Sequence, residues 1–139
     1  MIWKEPIDLE KLNSGPEYMG TFLGIRFAEF DDRSLTATMP VDTRTHQPWG
    51  ILHGGASVVL AETVGSYASG LIVDTAQYMP VGLEVNANHL RPVSSGEIKA
   101  VCAPIHIGRK THVWDIKIYN EEGKMVCISR LTVAIIERQ

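Results

Sequence analysis

The stretch GGASVVLAETVGSYASGL, residues 54–71, limits most strongly what this chain can fold into. It lacks proline, and small or apolar residues fall on nearly every side of a helix drawn through it. A helix that is apolar all round is buried on most of its sides. Its glycines weaken helix propensity, so close packing against a curved sheet or another backbone must call for them. The next four segments, 79–91, 97–107, 112–119 and 125–136, read as strands, with VSSGE, IGRKT and NEEGK between them as turns. Trp114, Ile116 and Ile118 alternate with Asp115 and Lys117. Met125, Cys127, Ser129, Leu131, Val133 and Ile135 form a second period-two face. Upstream, GIRFAEF and SLTATMP flank DDR as a hairpin, and Leu35, Ala37, Met39 and Val41 give its second strand one buried face. DLEKLN, 8–13, predicts a short helix capped by Asp8. Hairpin, long helix and meander in that order make an α+β fold. The economical arrangement wraps one antiparallel sheet around the central helix. A single such layer leaves a sheet face and an edge strand uncovered, which dimerisation would cover.

The bulk properties narrow the function. The 139 residues suit one domain spanning 1–139, large enough to bury a core without staples or a structural metal. The net charge of −3, with no basic cluster, argues against nucleic acid as the main partner. No stretch reaches the length of a membrane span, and MIWKEPIDLEKLN lacks the apolar core of a signal peptide. Cys102 and Cys127 lie in apolar strand-like surroundings and read as buried thiols, which fits a reduced, cytoplasmic setting. Neither has a neighbouring His with a clear role, and no G-x-S-x-G elbow is present, so Cys and Ser nucleophiles are not expected.

Chemistry concentrates around HQPWGILHGGASVVLAE, 46–62. Gly54 and Gly55 stand where the helix should begin. The first N–H groups of a helix have no internal partner, and the helix dipole adds positive character there. Glycine lets a ligand approach, so this end suits an anion or a developing oxyanion, unless it is a plain tight turn. Glu62 is a carboxylate in a near-apolar helix, which is costly unless paired, solvated or functional. Ser66 follows at i+4 on the same stripe, within reach of Glu62 or of a water beside it, and Val58 and Gly55 continue that stripe backward. Gly54 and Glu62 are eight residues apart, roughly 12 Å along a helix axis. One carbonyl must sit about 3 Å from its donor and near attack distance of the carboxylate. One helix hardly meets both demands, whereas two antiparallel copies about a two-fold axis do. The expectation is a shared site, with Gly54 from one subunit and Glu62 from the other. A zinc set of His46, His53 and Glu62 matches no compact ligand spacing. His46, His106 and His112 read as structural or surface residues.

The segment HQPWGILHGGASVVLAETVGS closely resembles the signature of hotdog-fold acyl-CoA thioesterases. The similarity is to the branch holding the Arthrobacter-type 4-hydroxybenzoyl-CoA and phenylacetate-degradation thioesterases, nearest to bacterial 1,4-dihydroxy-2-naphthoyl-CoA hydrolases and the enterobactin proofreading thioesterase. MPVDTRTHQP, NANHLRPV and SRLT extend the resemblance over most of the chain. It implies hydrolysis of an acyl-CoA or acyl-carrier-protein thioester, aromatic or medium-chain, to a free acid and a thiol. It implies that the Gly54 N–H polarises the carbonyl, that Gln47 holds the acyl group or attacking water, and that His53 lies at the carbonyl or sulfur. Glu62 is then nucleophile or general base, oriented by Ser66. Val81 and Gly82 would lie along the pantetheine arm, and His89, Arg91 and Arg109 would face the nucleotide phosphates. Trp49 stands where Phe is expected, which bears on acyl-pocket size. The resemblance implies no metal or redox cofactor, coenzyme A being part of the substrate, and a homodimer with shared sites, assembled as a dimer of dimers. Two alternatives stay open: a hotdog hydratase or dehydratase, and a non-catalytic acyl-CoA-binding module.

Overall fold

The computed structural model describes residues 1–139. Two single-turn helices, α1 (Leu9–Leu12) and α2 (Met19–Phe22), precede the hairpin β1 (Arg26–Phe30) and β2 (Leu35–Pro40). The long helix α3 (Gly54–Gly70) follows, then β3 (Tyr78–His89), β4 (Glu97–Ile107), β5 (Thr111–Tyr119) and β6 (Met125–Glu137). The strands form one six-stranded sheet in the order β1-β2-β4-β5-β6-β3, antiparallel at every pairing. The chain has the α+β hotdog arrangement that its sequence implies, one sheet curled around α3. Asp8 caps α1 as expected, accepting from the Lys11 N–H at 3.2 Å. No sequence signal marks α2. It is too short for periodicity, and its N-cap is Tyr18, whose N–H reaches Thr21 Oγ1 at 3.4 Å.

The core lies between sheet and helix. Leu35, Ala37 and Met39 of β2, Trp114, Ile116 and Ile118 of β5, and Leu131 and Val133 of β6 are all fully buried. The period-two readings are therefore right on these strands. One glycine in α3 has a clear packing reason. A Cβ on Gly65 would strike Leu131 of β6 and lie 3.4 Å from Ile116 of β5, so its absence lets the helix settle into the sheet. Ser69 serves the same contact differently, its Oγ lying 2.8 Å from both Trp114 Nε1 and His112 Nδ1.

The expectation that α3 is buried on most sides needs correction. Within the chain its buried residues are Ala56, Ser57, Leu60, Ala61, Val64, Gly65, Ala68 and Ser69, two adjacent rows repeating every four positions. The opposite face, with Val58, Glu62 and Ser66, is only half-buried. The apolar character of that face thus exceeds what this sheet covers. The two sheet edges are also unequal. β1 is 5 residues long, whereas β3 presents 12 residues bonded to β6 alone, with Met79, Val81 and Leu83 exposed. A long unpaired apolar edge is a template for a further strand.

Candidate active site

The loop before α3 is tightly tied. Thr45 is buried, and its Oγ1 lies 3.0 Å from the Pro40 carbonyl and 3.1 Å from the Asp42 N–H. The N–H groups of Gln47, Leu52 and His53 donate to the carbonyls of Ile51, Val93 and Thr45 at 2.7–2.8 Å. Gly50 turns the loop with φ of 77°, a left-handed value that favours glycine. This bracing places His53 as the N-cap of α3, its Nδ1 accepting from the Gly55 N–H at 2.8 Å. His53 therefore presents its other ring nitrogen outward. The Gly54 N–H has no hydrogen-bond partner in the chain and remains a free donor at the positive end of a 17-residue helix.

His89 packs on this end. A Cβ on Gly54 would lie 2.8 Å from His89 Nε2 and 3.1 Å from Cε1, so Gly54 is bare where the imidazole approaches. Gln47, Gly54, Ser57, His89 and Arg91 line one cavity of about 340 Å³. The Gln47 side-chain oxygen is taken by the Trp49 N–H within the loop. Trp49 itself is 85% exposed and packs into neither cavity of this chain.

Glu62 faces a different space. It lines a groove of about 1250 Å³ between the outer face of α3, β1 and the N-terminal segment, together with Ser66, Tyr67, Phe27 and Met19. Its carboxylate makes no hydrogen bond or ion pair in the chain. Its close neighbour is Gly82 of β3, where an added Cβ would overlap Glu62 Oε2. Ser66 shares the groove without bonding to Glu62 directly. Tyr67 and Phe27 stack obliquely beside it, ring centroids 4.6 Å apart.

The predicted residues thus fall into two groups within one chain. Gln47, His53, Gly54, His89 and Arg91 gather at the helix start. Glu62, Ser66, Gly82 and the exposed Val81 gather two turns along. Arg109 joins neither cavity. It sits in the β4–β5 turn, where the neighbouring Lys110 carbonyl accepts from Ile135, the partner of Pro80, and so belongs at the far end of β3 from His89. Two features of these cavities escaped the sequence reading. Ser57 lies one turn from Gly54 on the side facing the smaller cavity, a signal available in its i+3 spacing. The pairing of Tyr67 with Phe27 across forty residues leaves no local signal.

Other chemistries find no support. Burial pushes the Cys102 thiol well up, with Asp115 adding to it, and burial also raises the Cys127 thiol. Both therefore stay protonated at neutral pH. No group of three His, Cys, Asp or Glu side chains is placed to hold a metal ion, and His46 instead reaches the Ser94 carbonyl at 3.0 Å. No helix is long and apolar enough to cross a membrane.

Comparison with known proteins places the chain in a family. The thioesterase superfamily model matches residues 50–127. The chain is 53% identical to the 1,4-dihydroxy-2-naphthoyl-CoA hydrolase of Escherichia coli over 137 residues, covering 98% of this chain and 100% of the relative. It is 50% identical over 139 residues to the proofreading thioesterase EntH of Cronobacter turicensis, covering 98% and 99%. The crystal structure of a mutant of thioesterase PA1618 from Pseudomonas aeruginosa superposes with a TM-score of 0.97 at 60% identity, covering 99% of this chain and 100% of that one.

Proposed function

Starting from a chain that belongs to the thioesterase superfamily and is a thioester hydrolase, we propose that it cleaves acyl-CoA thioesters in composite sites, each built from two subunits. The carrying observation is the separation of two unpartnered groups. The free Gly54 N–H opens into one cavity and the free Glu62 carboxylate into another. A thioester carbonyl needs both within bonding distance, so the second copy of the chain supplies the missing half. Residues 1–139 act as one thioesterase domain in this reading.

The route to that assembly runs through β3. This strand lies along the flank of α3, with Gly82 against Glu62 and His89 against Gly54. Pairing two β3 edges antiparallel about a two-fold axis turns their helices antiparallel as well. The start of one helix then faces the middle of the other. It also carries the turn with Arg109 toward the partner's His89 and Arg91, so both chains contribute to the phosphates. Exposed Ile105, Ile107 and Ile136 support association of two such dimers.

In each site the Gly54 N–H donates to the thioester oxygen and stabilises the charge that develops there. The partner's helix supplies Glu62, which either takes a proton from the attacking water or attacks the carbonyl itself. Gln47 holds the acyl group or water once released from its loop bond, Ser66 orients the carboxylate through a water, and His53 attends the carbonyl or sulfur. The pantetheine arm follows Val81 and Gly82. The acyl group enters the groove past Glu62 toward Tyr67 and Phe27, an aromatic pair suited to an aryl or medium-chain acyl group. A cytoplasmic enzyme needing no cofactor beyond its CoA-bearing substrate fits this chemistry.

The test is thiol release over benzoyl, naphthoyl and straight-chain CoA thioesters, with an enoyl-CoA included to detect hydration. Glu62→Gln keeps size and hydrogen bonding but is neither base nor nucleophile. It should lower kcat by about 10²–10⁴-fold with folding intact. Retention of more than half of the activity would refute the assignment.

A further inference from the structure

We infer that Gly82 is a positioning residue for the Glu62 carboxylate, a role distinct from lining the path of the pantetheine arm. The inference rests on the reading of Glu62 as the reacting carboxylate. A Cβ on Gly82 would overlap Glu62 Oε2 and stand 3.3 Å from Cδ and 3.8 Å from Cγ. The carboxylate therefore rests on bare β3 backbone. Gly82 is not among the glycines with left-handed φ, so backbone conformation does not call for glycine here. The steric need of Glu62 does.

A second feature of β3 points the same way. The register with β6 shifts between Gly82 and Glu84, leaving Leu83 as an extra residue. Bulges of this kind re-aim neighbouring positions. Leu83 and Glu84 are both exposed, while Gly82 is half-buried and faces α3. The strand thus breaks its alternation beside the position where a missing side chain makes room for the Glu62 carboxylate. Since no hydrogen bond or ion pair holds Glu62 in the chain, this contact limits where the carboxylate can go. A methyl group at Gly82 would displace the carboxylate from this place.

The experiment compares Gly82→Ala, Glu62→Asp and the double variant in steady-state kinetics and thermal melts. Gly82→Ala should lower kcat about tenfold or more while KM changes less than about threefold. Aspartate withdraws the carboxylate by one methylene, so in the Glu62→Asp background the added methyl should cost less than about threefold. Equal losses in both backgrounds, or a change in KM alone, would overturn the proposal and leave Gly82 as part of the substrate path. Where Gly82→Ala does not fold, Glu62→Ala added to it should restore melting, and failure to restore it would overturn the contact. An active Glu62→Gln enzyme would instead remove the catalytic reading and the positioning role with it, even where melting of the Glu62→Ala/Gly82→Ala pair shows the contact to be real. The two failures are thereby told apart.

Discussion

Mixing two disabled chains tests the composite site. One chain carries Glu62→Gln. The other carries Gln47→Ala with His53→Asn, asparagine being chosen because it still caps a helix, whereas alanine there costs about 1 kcal/mol. In a mixed dimer, one site combines the intact helix start of the first chain with the intact Glu62 of the second. The other site carries all the lesions. Random co-refolding at equal concentration makes about half the dimers mixed, each with one working site of two. The expected activity is therefore about one quarter of wild type per subunit, against near zero for either parent, provided sites act independently. The structure requires this result if the reading is right. Gly54 and Glu62 of one chain open into different cavities and lie roughly 12 Å apart along the helix axis. Thiol release is the assay, with native mass spectrometry of unequally tagged chains to count mixed dimers. Mixed dimers present without activity would refute the inter-subunit geometry, because a site within one chain would keep a lesion in every copy. The thioesterase assignment would survive that outcome.

The fold was legible because its elements are long and strongly patterned. Trp114, Ile116 and Ile118 alternate cleanly, and the observed ends of the last four strands lie within two residues of those read from the sequence. The helix start was legible for a different reason, since the glycine pair stands directly ahead of the apolar run, and α3 begins at Gly54. Three things were not legible. The exposed side of α3 looks buried in sequence because its apolar residues await a surface that this chain's sheet does not cover. The approach of His89 to Gly54 and of Gly82 to Glu62 depends on how β3 lies across the helix, and no spacing within either segment encodes it. Arg109 reads as a third phosphate-facing residue beside His89 and Arg91, yet the meander carries it to the opposite end of β3.

Two predictions remain. Arg91→Ala and Arg109→Ala should each raise KM for CoA substrates more than they lower kcat, since contacts remote from the carbonyl contribute uniform binding. Both effects should fade with a truncated pantetheine thioester, and equal losses on the two substrates would count against a phosphate role. The other concerns acid stability. His112 is 1% exposed, and its Nδ1 lies 2.8 Å from Ser69 Oγ, which also accepts from Trp114 Nε1 at 2.8 Å. A Ser69 hydroxyl that accepts from Trp114 keeps a proton it can donate to His112 Nδ1, an arrangement open only to the neutral ring. Burial holds the His112 pKa below its ordinary 6.5, and nearby His106 lowers it further. Above that ordinary value neither the folded nor the unfolded chain is protonated at this ring, and the stabilising contribution is fully present. As pH falls below 6.5, the unfolded chain takes up a proton that the folded chain resists, and stability declines until the lowered folded pKa is passed. One such proton contributes a slope of at most about 1.4 kcal/mol per pH unit. Urea unfolding between pH 7 and pH 5 should therefore show a shallower decline in His112→Gln than in wild type, even though the variant starts less stable at neutral pH. Groups common to both proteins cancel in that comparison of slopes. Parallel pH dependences would show that His112 is protonated as readily in the folded chain as in the unfolded one, and that the Ser69 contact does not select the neutral ring.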